Sequence, residues 1–140
     1  MYNECDLCKQ YDEKEFDIND VGDWSSNNVP FVYCLMLEEG KYYVGETRCL
    51  SRRLFAHFGY GGSRWTKKYQ PIAIVFLQSF DNNISKKDLR EIENMYTVFY
   101  MQKFGRENVR GGEWTTSYSL TEKWHKKIDN YERRIKEAVS

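Results

Sequence analysis

Apolar and polar positions fall along the chain in blocks, and each block predicts an element. "VPFVYCLML" (29–37) is an apolar, β-branched and aromatic run of strand length. Glu38, Glu39 and Gly40 then fit a three-residue hairpin loop whose last position takes positive φ, which glycine supplies without steric cost. "KYYVGE" (41–46) is the return strand. That loop sets a register in which Leu37 faces Lys41, Leu35 faces Tyr43 and Tyr33 faces Gly45. Tyr33 and Tyr43 become diagonal neighbours on one face, and strand alternation turns Tyr42 to the other. A glycine opposite Tyr33 leaves space for something to approach the backbone.

Period then changes. "LSRRLFAHF" (50–58) places Leu50, Leu54 and Phe58 at helical spacing, with Thr47 or Ser51 available at the amino end. Arg53 and His57, four apart, stack on one side of that helix. "GYGGSRWTKKYQP" reads as a glycine-rich basic loop. "IAIVFLQSF" is apolar on both parities, the pattern of a strand covered on both faces. Ser85 starts a long helix with Asp88 in its first turn, Leu89, Ile92, Met95, Tyr96 and Phe99 on its buried side, and Gly105 ending it. After the loop "RENVRGGEW", the S-x-x-E box of Ser119 and Glu122 opens a last helix with the stripe Leu120, Trp124, Ile128, Tyr131, Ile135 and Val139.

Composition adds organisation. The 140 residues, 41% of them hydrophobic, suit one core, with no repeat and no low-complexity tract. Formal net charge is zero but unevenly spread: residues 1–28 hold eight acids against Lys9 and Lys14, leaving 19 basic and 13 acidic residues for the rest. That surplus is a modest preference for polyanions. We divide the chain into an acidic extension (1–28), a core domain (29–118) and an amphipathic helix (119–140). The helix either packs on the core or lies on DNA or a partner. No run approaches a membrane span and the acidic start lacks a secretory pattern, so an intracellular protein, cytoplasmic or nuclear, is expected. Cys5 and Cys8 in "CDLC" are read as plain thiols rather than a zinc site, because only two histidines could complete it.

Taken together, "FVY" (31–33), "YVG" (43–45), Thr47, Leu50, Arg53, Leu54, His57, Glu93 and, fifteen positions later, Asn108 resemble the GIY-YIG nuclease family in order and spacing. The resemblance covers residues 30–113. Phe31 and Val32 replace the family's Gly and Ile, and Cys49 stands where Asn is common.

The resemblance implies a small α/β (α+β) domain, with a central sheet of about three strands flanked by helices. It implies metal-dependent endonucleolytic cleavage of DNA that leaves 3′-hydroxyl and 5′-phosphate ends. Tyr33 would take the proton of the attacking water, and Tyr43 would orient water or phosphate. A phenol ordinarily near pKa 10 needs positive charge to depress it for that role, and Arg53 would supply it while holding a phosphate oxygen. His57 would contact phosphate or help the same cluster. Glu93 would bind one Mg²⁺ (or Mn²⁺); Glu91 is its rival, since helix periodicity cannot place both on one face. Gly45, Thr47 and Asn108 would support the site. Arg52, Arg64, Lys67, Lys68 and Arg110 are candidate nucleic-acid contacts, with Trp65 and Tyr69 interleaved for base stacking; a solvated loop accounts for the basic residues equally well. A monomer or transient dimer is expected. The alternative is a module of the same fold that binds nucleic acid without cutting.

Overall fold

A computed structural model of the chain describes residues 29–59 and 62–139; the acidic extension and the Cys5–Cys8 pair lie outside the described residues. Strand β1 (Phe31–Leu37) turns through Glu38–Gly40 into β2 (Tyr42–Thr47). Gly40 has φ 71° as the loop requires, and Glu39 joins it in the left-handed region at φ 60°. The pairing is antiparallel with Tyr33 opposite Gly45 and Leu35 opposite Tyr43, the predicted register.

Helix α1 (Leu50–Phe58) follows. Neither Thr47 nor Ser51 caps it: Cys49 is the N-cap residue, and its amide donates to Thr47 Oγ1 at 2.9 Å. The buried stripe runs Leu50, Leu54, His57, so the histidine takes the inward position predicted for Phe58, which is 45% exposed.

The expected basic loop contains a short helix, α2 (Arg64–Lys68). A capping box starts it: Ser63 Oγ accepts from the Thr66 amide, and Thr66 Oγ1 accepts from the Ser63 amide.

Strand β3 (Pro71–Ser79) is antiparallel to β1. The sheet order is β3-β1-β2-β4, so β3 is an edge strand, and it packs on both faces only in part: Phe76 against one core, Ile74 and Leu77 against the other. Ile72 and Val75 are accordingly exposed. Two register shifts against β1 make this edge irregular, a feature that discourages pairing with another chain.

Helix α3 (Lys86–Phe104) begins where predicted, Ser85 accepting from the Asp88 amide at 3.0 Å, and ends at Gly105 with φ 101°. Its buried residues are Leu89, Asn94, Thr97, Val98, Tyr100 and Met101. Phe99 is exposed, because small polar Asn94 and Thr97 turn inward and rotate the buried face away from it.

The loop after α3 supplies a strand missed by the three-strand expectation: β4 (Val109–Gly111), parallel to β2. Helix α4 (Glu122–Val139) starts three residues later than the predicted Ser119 cap; the His125 amide bonds the Thr121 carbonyl, so Thr121 precedes the first turn. Ile128 and Tyr131 are buried, while the Val139 side chain lies outside the described ones. Ion pairs Arg106–Glu132 (3.2 Å) and Arg134–Glu91 (3.0 Å) tie α4 to the domain.

Strand parity separates two cores. Val32, Cys34 and Val44 face α3 and α4, where Leu89, Val98, Met101, Trp114 and Ile128 pack. Phe31, Tyr33, Leu35, Leu37 and Tyr43 face α1 and α2, where Leu50, Leu54 and Trp65 pack. The sheet is the middle of three layers, and the tyrosines lie in the α1/α2 layer.

Candidate active site

The hairpin delivers Tyr33 and Tyr43 to one face, their ring centroids 6.3 Å apart and both side chains buried. A Cβ on Gly45 would sit 2.4 Å from Tyr33 Oη and 2.5 Å from its Cζ. The space the glycine provides is therefore filled by the ring of Tyr33 itself. Helix α1 brings His57 Nε2 to 2.8 Å from Tyr33 Oη, with the imidazole 4.8 Å from the Tyr43 ring. One turn earlier on that helix, Arg53 hydrogen-bonds both phenols. Glu93 on α3 acts electrostatically on both as well. Its rival Glu91 is committed to Arg134 on α4.

Burial dominates the electrostatics. Tyr33 is pushed well above the ordinary phenol range, first by desolvation and then by Tyr43, with Arg53 opposing. Tyr43 is raised too, chiefly by burial. The expected depression of the Tyr33 phenol by Arg53 is thus outweighed. His57 is lowered to about 3 by burial and then by the Arg53 charge, so its imidazole is neutral at neutral pH. Glu93 is raised to about 7 by burial and then by the Glu46 charge, while its carboxylate accepts a hydrogen bond from the Glu46 amide.

Glu46 was not singled out in the sequence, although it directly follows the "YVG" element. The donors around Glu93 are oxygens, the chemistry that Mg²⁺ or Mn²⁺ prefers. A carboxylate held partly protonated by its surroundings is also one that a divalent cation would ionise. Among the described residues, no group of three or more His, Cys, Asp or Glu side chains is placed to hold a metal. A cation at Glu93 would thus be completed largely by water and substrate oxygens. The residues fit such an ion.

Other candidates sit elsewhere. Asn108 accepts from Lys41 Nζ at 2.7 Å and donates to the Phe104 carbonyl at 2.8 Å, so it braces the end of α3 rather than the tyrosines. Thr47 is buried and bonds only the turn into α1. Arg110 is 1% exposed and stacks on Trp65 at 4.6 Å. Its five N–H groups reach the carbonyls of Thr116, Arg106, Val109 and Tyr118 and the Glu107 carboxylate. A guanidinium so committed has no donor left for a phosphate, contrary to its reading as a nucleic-acid contact. Trp65 is likewise buried, its Nε1 donating to the Tyr42 carbonyl, and so offers no face to a base. Arg64, Lys67 and Lys68 are exposed on α2, and Arg52 is half-buried on α1.

Thr66, also on α2, meets the cluster: its Oγ1 lies 3.1 Å from His57 Nδ1. The Ser63/Thr66 capping box was the sequence signal for it. A Cβ on Gly62 would fall 2.7 Å from Thr66 Oγ1 and 2.8 Å from His57 Nδ1, so a glycine is what lets them meet.

The small mixed sheet thus presents two tyrosines to an arginine–histidine helix, with a carboxylate supplied from α3. Residues 29–97 match the GIY-YIG catalytic domain. It is similar to UPF0213 proteins. One from Streptococcus pneumoniae strain R6 is 29% identical over 47% of this chain and 64% of its own length. Another, from Streptococcus pneumoniae serotype 4, is 32% identical over 36% of this chain and 50% of its own length. UPF0213 protein YazA of Bacillus subtilis is 26% identical over 57% of this chain and 73% of its own length. The chain thus spans less than two thirds of both streptococcal relatives. No solved structure matches it. GIY-YIG nucleases generally use divalent metals. Among the described residues no helix is long and apolar enough to cross a membrane.

Proposed function

We propose that this domain is a metal-dependent endonuclease that hydrolyses DNA phosphodiester bonds. One observation carries the reading: the oxygen of a fully buried phenol lies 2.8 Å from the nitrogen of a neutral imidazole while an arginine bonds the same oxygen. One partner would satisfy a buried structural phenol on a face packed with Leu35, Leu50 and Leu54; an imidazole and a guanidinium on one oxygen go beyond that need.

Tyr33 is fully buried, so substrate meets Arg53 and Glu93 first. The phosphate draws the Arg53 guanidinium onto its own oxygens, because charge-assisted bonds to phosphate are stronger than bonds to neutral phenols. That frees a lone pair of Tyr33 Oη for water. The water oxygen bonds phosphorus, its proton passes to Tyr33 Oη, and the phenolic proton passes to His57 Nε2. The bond from phosphorus to the 3′ oxygen breaks, and that oxygen takes a proton from solvent. The imidazolium then returns its proton to solvent. Tyr33 stays neutral throughout, and the charge on His57, which burial and Arg53 disfavour in the free protein, forms only while Arg53 is drawn onto the anionic phosphate. A divalent cation held by Glu93 and seconded by Glu46 would supply Lewis-acid stabilisation of the phosphoryl oxygens. Tyr43 and Arg53 orient the phosphate, and the exposed basic residues Arg52, Arg64, Lys67 and Lys68 carry its flanks. One cluster cuts one strand, so a monomer or transient dimer nicks.

Labelled linear, nicked and branched DNA incubated with Mg²⁺ or Mn²⁺ tests this. Cutting that EDTA stops, with supercoiled plasmid passing through an open-circular form, is expected. DNA that is bound but never cut with either metal would assign the fold to a binding module instead.

A further inference from the structure

Thr66 lies on α2, whose other proposed part is only the exposed cations that flank the substrate, yet its hydroxyl reaches the far nitrogen of the proposed proton acceptor. Both groups are almost fully buried: His57 is 2% exposed and Thr66 is 1%. Proton positions there follow from counting. A hydroxyl has one hydrogen and two lone pairs. The Ser63 amide fills one lone pair of Thr66 Oγ1 at 3.0 Å, and the Ser63 carbonyl takes its hydrogen at 3.1 Å. The second lone pair has His57 Nδ1 at 3.1 Å and the more distant Ser63 Oγ at 3.3 Å beside it; Ser63 Oγ already accepts from the Thr66 amide and is free to turn its own hydrogen outward, so the lone pair is satisfied when Nδ1 carries a proton. At the other end, Tyr33 Oη accepts from Arg53, and its own hydrogen finds an acceptor when His57 Nε2 is bare. The two ends of the ring agree on one tautomer.

We infer that Thr66 is a positioning residue that holds His57 in the Nδ1–H tautomer, so that Nε2 faces Tyr33 ready to receive its proton. The helix serves this role by construction. The capping box that starts α2 spends the Thr66 hydrogen on the Ser63 carbonyl, which denies that hydrogen to the imidazole. Gly62, with φ 84°, keeps clear the space between the two side chains. In the opposite arrangement, with Thr66 donating to Nδ1 and Nε2 protonated, Tyr33 Oη would accept from Nε2, and the phenol would face no bare nitrogen able to take its hydrogen. No proton could then leave the phenol. The interaction resembles the carboxylate or carbonyl that orients the imidazole in other histidine-dependent sites, with a hydroxyl as the orienting group.

This rests on the nuclease reading, and the experiment separates the two. In ¹⁵N-labelled native protein without DNA, two-bond ¹H–¹⁵N correlations of His57 are expected to show a protonated Nδ1 and a bare Nε2. A protonated Nε2 would overturn the inference whatever the activity. In cleavage assays, Thr66→Val is expected to lower kcat about 10- to 100-fold with KM little changed, as loss of a group orienting a working histidine does. Thr66→Ser, which keeps both the cap and the hydroxyl, is expected to restore kcat and the native tautomer. Failure of Thr66→Ser to restore either, although it folds, would also overturn it. A chain that cuts no DNA but shows the Nδ1–H tautomer would sink the nuclease reading and leave the positioning role standing.

Discussion

Gly45→Ala isolates the contact on which the tyrosine cluster is built. The glycine has no left-handed φ, so a strand backbone would accept alanine there. On backbone grounds alone the change would stabilise by about 0.5–1 kcal/mol, since glycine loses more freedom on folding. The added methyl, however, would lie 2.4 Å from Tyr33 Oη and 2.5 Å from Cζ, about 1 Å inside ordinary contact. The ring cannot swing away cheaply. It is fully buried, bonded to His57 at 2.8 Å and packed beside Tyr43. Overpacking of this kind costs about 1–3 kcal/mol, which outweighs the backbone gain. The net loss, up to about 2.5 kcal/mol, lowers Tm by up to roughly 10 °C for a domain of this size. The decisive assay is urea unfolding of Gly45→Ala in the native and Tyr33→Leu backgrounds. Leucine ends short of Oη and Cζ, so the clash vanishes and the same substitution becomes neutral or stabilising. The two penalties should therefore couple by about 1–3 kcal/mol. An alanine tolerated in the native background, or equally costly in both, would refute the placement of the Tyr33 ring over Gly45.

Glu93 gives a pH signature. Its folded value near 7 against an ordinary 4.5 means that the native state binds this proton more tightly than the unfolded chain. The ionised carboxylate therefore destabilises by an amount that is absent below about pH 4.5. It grows through pH 7, reaching on the order of 3 kcal/mol. In EDTA, Glu93→Gln is expected to flatten this fall and to be more stable than native protein at pH 8. Mg²⁺ should raise the stability of native protein at pH 8 but not that of the variant, and the variant should cut DNA orders of magnitude more slowly. Equal pH dependence in both proteins would remove Glu93 from the buried set. For the exposed cations, combined Arg64→Ala, Lys67→Ala and Lys68→Ala should weaken DNA binding similarly across sequences and reduce the salt slope by roughly 2–3 units, whereas an unchanged slope would leave them solvated.

What the sequence determined by itself was local. Loop length and a glycine at positive φ set the hairpin register and so put Tyr33, Tyr43 and Gly45 on one face; Ser85 and Gly105 bounded the long helix; the four-residue spacing stacked Arg53 on His57. These follow from periods of two and 3.6 and from caps, which a few neighbouring residues encode. Tertiary packing decided the rest. "IAIVFLQSF" became an edge strand because sheet order depends on which strands find partners, and the three residues of β4 were too short to show a period. Phe58 and Phe99 turned outward because His57 and Asn94 were needed inside. Arg110 left the surface because the Arg106 and Val109 carbonyls and the Glu107 carboxylate before it, and the Thr116 and Tyr118 carbonyls after it, converge on its guanidinium. The same distinction governs the chemistry. Sequence could place a phenol, an imidazole and an arginine together, but their protonation depends on how much water three packed layers exclude. That exclusion raises Tyr33, lowers His57 and leaves the hydroxyl of Thr66, from a helix nine residues further along, to decide which nitrogen of the imidazole is bare.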